Sequence, residues 1–212
     1  MEKNKVIDRS PIPLWFEDTE FLLLMEEIIT ETKVEVPSCY ILYQFALNTI
    51  RTEGHIAEVG VYKGGSAKLL ATIFEKSAKE LHLFDTFEGM PSVNQDIDWF
   101  NKGSFADTEI QMVRDYLSNF RNVRFHKGFF PDTTKGLEEE MFSFVHIDVD
   151  ILQSVKDCCE FFYPRLSPGG VMIFDDYGYR KCPGARIAVD EYFKDKEYKP
   201  IYLPTGQCLV IK

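Results

Sequence analysis

The 212-residue chain reads as an α/β protein on a doubly wound, largely parallel sheet, and three observations predict it. An apolar strand over 56–59 enters the turn Gly60, Gly64, Gly65, followed by a helix over 66–77 and a second apolar strand over 81–84, which makes a βαβ unit. Apolar runs recur at 123–126, 141–149 and 171–174, with helical periodicity between them. The chain closes on short strands over 199–203 and 208–211, joined by Pro204, Thr205, Gly206 and Gln207, a hairpin and so antiparallel.

Length and composition narrow the class further. A chain of this size suits one domain with a sizeable core. Its 34 acidic against 24 basic residues, net −10, argue against nucleic acid or an anionic membrane as partner. Five cysteines, odd in number and without a CxxC, suggest neither a disulfide framework nor a zinc knuckle, which fits a reduced cytoplasm. The opening MEKNKVIDRSPIPLW has no apolar leader segment, and runs such as 21–25 fall short of the roughly 20 residues that span a bilayer. A soluble, cytoplasmic protein is expected.

In order, residues 1–16 form an irregular arm whose Leu14, Trp15 and Phe16 could pack on the body, cover a site or meet another subunit. A helix over 17–32 places Phe21, Leu24, Met25 and Ile28 on one face, and Pro37 opens a second helix over 38–51. The stretch 86–107, with Gly89, Pro91, Trp99 and Phe100, is too long and too aromatic for a passive connection and reads as a lid. A helix over 109–119 precedes the third strand. Pro164 is expected to stop a helix over 154–163, 167–170 to form a tight turn, and 185–193 to form the last helix, carrying Arg186.

Chemistry gathers at the carboxyl ends of these strands, where open α/β sheets bind ligands. The loop after 56–59 offers backbone N–H groups, while Glu58 suits a neutral or cationic ligand better than phosphate. The loop lacks both GxGxxG and a P-loop ending. Asp85, a carboxylate about 20 residues on, could accept from both ribose hydroxyls of a nucleoside, with Gly128 and Phe129 bounding its base. Strand alternation through 150 would put His146, Asp148 and Asp150 on one face. Asp148, Asp175 and Asp176 would repel one another at adjoining strand ends unless one stays protonated or a cation is bound, and hard oxygen ligands favour magnesium or calcium over zinc.

With AEVGVYKGGSA, LFDTFEGMP, GSFADT, FVHIDVD, LSPGGVMIFDDYG, CPGARIAVDEYF and PTGQ in view, the sequence resembles the macrocin O-methyltransferase (TylF/MycF-like) family of S-adenosylmethionine-dependent enzymes. The resemblance covers nearly everything from Ser38 onward. It implies the class I fold, a seven-stranded sheet of order 3-2-1-4-5-7-6 with the last strand antiparallel, over 38–212, preceded by an arm and helix over 1–37 that act as lid or oligomer contact. It also implies that Glu58, Gly60, Gly64, Gly65 and Ser66 surround the methionine part of the cofactor. Asp85, Thr86 and Phe87 then lie at the ribose, and Asp148, Asp175 and Asp176 bind magnesium.

The implied reaction is methyl transfer to a hydroxyl of a sugar or other vicinal-diol metabolite, and a homodimer or tetramer is expected by the same likeness. Related catechol enzymes carry a lysine where Ile151 stands here, so Asp148 or His146 is the candidate base. Arg186 could orient the acceptor or pair with a helix carboxylate. Two alternatives stand: an NAD(P)-dependent oxidoreductase, weakened by the missing GxGxxG and Tyr-x-x-x-Lys, and an S-adenosylmethionine-binding protein without catalysis, disfavoured by three intact acidic ligands.

Overall fold

The structure is a computed structural model, and residues 12–212 are described. Of the N-terminal arm, residues 1–11 lie outside the described residues. Leu14–Phe16 forms one turn of 3-10 helix, with Trp15 edge-on to Tyr40. Helix α1, Thr19–Ile28, starts at Asp18, whose carboxylate accepts from the Phe21 N–H at 3.0 Å, and it buries Phe21, Met25 and Ile28, one residue per turn on the same face. Pro37 occupies the first turn of α2, Val36–Thr49, where its missing N–H costs nothing.

Alternating elements follow: β1 His55–Val59, α3 Gly65–Phe74, β2 Leu81–Asp85, α4 Ile110–Tyr116, β3 Val123–Lys127, β4 Phe142–Ile147, α5 Leu152–Arg165, β5 Leu166–Phe174, α6 Pro183–Phe193, β6 Ile201–Tyr202 and β7 Cys208–Ile211. They form one seven-stranded sheet of order β3-β2-β1-β4-β5-β7-β6, in which β7 runs antiparallel to both neighbours. The strand order changes direction between β1 and β4, whose partners include Glu58 with His146 and Val59 with Ile147. That switch point places the ends of β1, β2, β4 and β5 on one rim.

Two apolar layers sandwich the sheet. One joins α1, α2 and α3 to Ile56, Leu83, Phe144 and Ile173. Helix α1 therefore shares its core with the rest of the sheet. The other layer sets Phe84, Phe130, Phe142 and Phe162 among α5 and α6, with Phe130 and Phe162 stacked at 5.5 Å. Each such ring contributes roughly 2–3 kcal/mol by leaving water.

Several helix ends shift by two to four residues, α1 stopping at Ile28 and α4 at Tyr116, and three readings change outright. Helix α5 continues through Pro164 and ends one residue later at Arg165, so the proline forfeits one helical N–H bond in the turn where the helix stops. Residues 167–170 do not form a tight turn. They belong to β5, which pairs Leu166 with Phe142 and then, after an irregularity, Val171 with Phe144. Strand β4 ends at Ile147, and Asp150 adopts φ +60°, so His146, Asp148 and Asp150 do not share a regular strand face.

Candidate active site

The rim opens into a cavity of ≈ 260 Å³ that runs from the ends of β1 to β3 to the carboxylates after β4 and β5. Gly60 sits where β1 meets β4, at φ +86°, and a Cβ there would lie 1.8 Å from the Asp148 carbonyl oxygen. Only glycine permits the adjoining strand ends to approach so closely. The turn continues through Tyr62 at φ 51°.

Asp85 anchors this turn. One of its carboxylate oxygens accepts from the N–H groups of Val61 and Tyr62 at 2.7 and 2.9 Å, and the other from Phe87 N–H at 2.7 Å. Its first task is thus to pin the glycine turn to β2, leaving its remaining lone pairs on the cavity wall. Thr86 lines the cavity too, with its hydroxyl closing a turn onto the Gly89 carbonyl at 2.7 Å. Gly128, at φ +142°, and the part-exposed Phe129 bound the cavity beyond β3.

Five residues that the resemblance puts at the cofactor do not line this cavity: Phe87, Gly64, Gly65, Ser66 and Glu58. Phe87 is buried in the core against Phe125, 6.3 Å between centroids, and does not line the cavity. Gly64, Gly65 and Ser66 are buried outside the cavity lining. A Cβ on Gly65 would meet the Glu31 backbone at 2.7 Å, one on Gly64 the Val113 side chain at 2.9 Å, and the Gly65 N–H is spent on the Glu31 carbonyl. These small residues let α3 pack closely against its neighbours.

Glu58 and His146 also lie inside the sheet. Both are fully buried, with Glu58 Oε1 2.9 Å from His146 Nδ1 and His146 Nε2 3.6 Å from Asp175 Oδ1. Burial alone would push the imidazole pKa down, yet the neighbouring carboxylates of Asp175 and Glu58 raise it to about 10. An imidazolium held between two carboxylates, away from the cavity, is not a proton acceptor for a ligand. The expectation that His146 acts as base is corrected by its burial and its charge.

Asp148, Asp175 and Asp176 converge as expected, each offering an oxygen within 4.8 Å of the others. Burial, then the charges of Asp175 and Asp176, hold the Asp148 carboxyl well above its usual range. Burial, then Asp150 and Asp175, does the same for Asp176. Asp175 Oδ1 accepts from Gln207 Nε2 at 2.7 Å. Such a set of hard oxygens under mutual repulsion fits a divalent cation.

Asp150 belongs to the same wall. Its N–H donates to Asp176 at 2.9 Å, the Cys182 thiol donates to its carboxylate at 3.3 Å, and desolvation pushes its pKa up to about 6. As the second acidic residue in HIDVD, it was visible in the sequence only through strand alternation, which does not hold at this position.

The stretch 86–107 contributes Gly89, Met90, Pro91 and Phe105 to the cavity. It is fastened at three points. Met90 and Ser104 pair at its neck, Asp107 accepts from the Tyr62 hydroxyl at 2.7 Å and pairs with Lys63 at 2.8 Å, and buried Asp98 accepts from the Leu152 N–H at 3.1 Å, at the start of α5. Trp99 stays exposed on its outer face. Arg186 is exposed and pairs with Asp190 at 3.4 Å, the ion-pair reading of that residue. All five cysteines are buried and unpaired. Among the described residues no helix is long and apolar enough to cross a membrane.

Solved structures share this architecture. The O-methyltransferase NovP superposes with a TM-score of 0.74 at 24% identity, over 86% of this chain and 82% of that one. A structure described as a caffeoyl-CoA O-methyltransferase from Staphylococcus aureus superposes at 0.63 and 18% identity, over 94% and 95%. Among curated relatives, a tetracenomycin rhamnosyl 4'-O-methyltransferase of Streptomyces olivaceus is 30% identical over 70% of this chain and 62% of its own length. The mycinamicin III 3''-O-methyltransferase of Micromonospora griseorubida is 30% identical over 66% and 60%. The chain thus spans about three fifths of the length of these curated relatives. The family model described as macrocin-O-methyltransferase (TylF) matches residues 43–202, well over half of the chain. By that match the chain belongs to the macrocin O-methyltransferase family.

Proposed function

We propose that this protein is a magnesium-dependent O-methyltransferase that moves a methyl group from S-adenosylmethionine to a hydroxyl of a sugar or similar polyol-bearing small molecule. One observation carries the reading: a single cavity joins the Gly60, Asp85 and Gly128 end of the rim to the Asp148, Asp175 and Asp176 end. The rhamnosyl group in the name of the Streptomyces olivaceus relative supports the acceptor class.

In this reading the free lone pairs of Asp85 take the ribose hydroxyls, and Phe129 and Gly128 bound the adenine. Asp148, Asp175 and Asp176 would hold magnesium, which, once bound, polarises the acceptor hydroxyl and lowers its pKa. Asp150 borders the carboxylate trio on the same cavity wall, a position suited to taking the hydroxyl proton. Met90, Pro91 and Phe105 cover the cavity and exclude water from the methyl in transit.

Calorimetric titration tests the cofactor half. S-adenosylmethionine is expected to bind with micromolar affinity even in EDTA, and Asp85→Ala to weaken it at least tenfold, through loss of both hydrogen bonding and loop support. A preference for NAD, or no binding, contradicts the reading.

A further inference from the structure

The Pro204-Thr205-Gly206-Gln207 turn and the buried Glu58 and His146 have no place on the cavity wall, yet Gln207 and His146 both face one atom of it and Glu58 holds the imidazole. Gln207 is fully buried, and its Oε1 accepts from the Thr205 hydroxyl at 3.0 Å, which turns Nε2 towards Asp175 Oδ1 at 2.7 Å. From β4, the strand beside β5, His146 Nε2 faces the same oxygen at 3.6 Å and has no hydrogen-bond partner of its own. The opposite ring nitrogen is held by Glu58 Oε1 at 2.9 Å. Two groups, from β4 and the hairpin turn, thus face Oδ1 from inside the protein, and Glu58 of β1 stands behind the imidazole. Among the described residues no hydrogen bond engages Asp175 Oδ2.

We infer that Gln207 and the Glu58–His146 pair are positioning residues for the cation site: they hold Asp175 by its inner oxygen and present the outer one to Asp148 and Asp176. The inference rests on the metal reading proposed above. A carboxylate already fixed in rotation loses little freedom on binding a cation, and the partners behind a ligand typically alter metal affinity about 10–100-fold. The turn's chemistry follows. Gly206, at φ +96°, packs its backbone against Tyr179, and the reversal it permits brings Gln207 under Asp175.

Binding of Mn2+, followed by electron paramagnetic resonance on the full chain, tests this alongside binding of S-adenosylhomocysteine in EDTA. Wild type is expected to bind Mn2+ and Asp148→Asn to lose it. Gln207→Met and His146→Gln are expected to bind Mn2+ about tenfold or more weakly while S-adenosylhomocysteine affinity stays within about twofold. Mn2+ affinity within twofold of wild type in both variants would overturn the inference, as would a parallel loss of S-adenosylhomocysteine binding, which marks a general structural role. If Gln207→Met does not fold, Glu58→Gln keeps the side-chain shape and probes the same contacts from the far end, and unchanged Mn2+ binding there contradicts the proposal. Wild-type protein that binds no Mn2+ overturns the metal reading itself, and this inference with it.

Discussion

At Gly60 a single hydrogen in place of a methyl group decides whether β1 and β4 can meet at the rim. A Cβ there would fall 1.8 Å from a backbone oxygen, and φ +86° is unfavourable to any other residue, so Gly60→Ala is expected to cost on the order of 3 kcal/mol or more, read as a lowered urea midpoint. An unchanged midpoint would refute this packing. The other glycines of the motif were legible as essential but not as to purpose. Gly64 and Gly65 read equally well as ligand contacts or as helix contacts, because spacing reports that Cβ must be absent and not what takes its place. Phe87 was misplaced for a related reason: at φ 52° the chain turns its ring into the core, and no local pattern announces that.

A second residue-scale effect lies at the far edge of the sheet. His82 is buried, its Nδ1 3.0 Å from His126 Nε2, and burial, then the neighbouring imidazoles, push its pKa down to about 4 from an ordinary 6.5. The unfolded chain takes up a proton that the folded chain refuses. His82 therefore costs no stability above pH 6.5 and progressively more as the pH falls towards 4. Urea unfolding at pH 7 and pH 5 is expected to differ by about 1 kcal/mol from this group, after discounting for solvent, and His82→Gln to flatten that difference. An identical pH dependence in the variant would contradict the assignment.

Among the elements, the loop over 86–107 stood out in the sequence because length and aromatic content set it apart from a passive connection. Its fastening did not. Asp98 looked like one of several acidic residues in a loop, and only the fold brings it to the Leu152 N–H, where it satisfies a donor at the start of α5 and ties the lid to the helix that follows the Asp148 strand. Asp98→Ala is expected to cost about 1 kcal/mol in global stability and to speed limited proteolysis within 95–103 several-fold. Unchanged cleavage would show that the neck and the Tyr62 contact suffice. The helix stops one residue beyond Pro164, and the 167–170 segment was misread because a strand tolerates an irregularity when the sheet on either side fixes the register.

Over the whole molecule, the sheet order was legible through the family resemblance, and the antiparallel β7 also through the hairpin turn that precedes it. The convergence of Asp148, Asp175 and Asp176 was legible once those strands were set side by side. What the linear sequence hid was the depth of the site: which acidic residue faces the cavity, which is locked to a histidine, and which is held from behind by an amide arriving from the C-terminal turn. Burial decides those roles, and it is a property of the assembled sheet.

The most direct measurement is methyl transfer from isotope-labelled S-adenosylmethionine to a panel of sugar and polyol acceptors, followed by mass spectrometry with magnesium or with EDTA. Transfer of one labelled methyl to an acceptor hydroxyl, abolished by EDTA, restored by magnesium and absent in Asp148→Asn, is the expected result. Equal transfer in EDTA, or full activity of Asp148→Asn, would contradict a rim on which cofactor and metal act together.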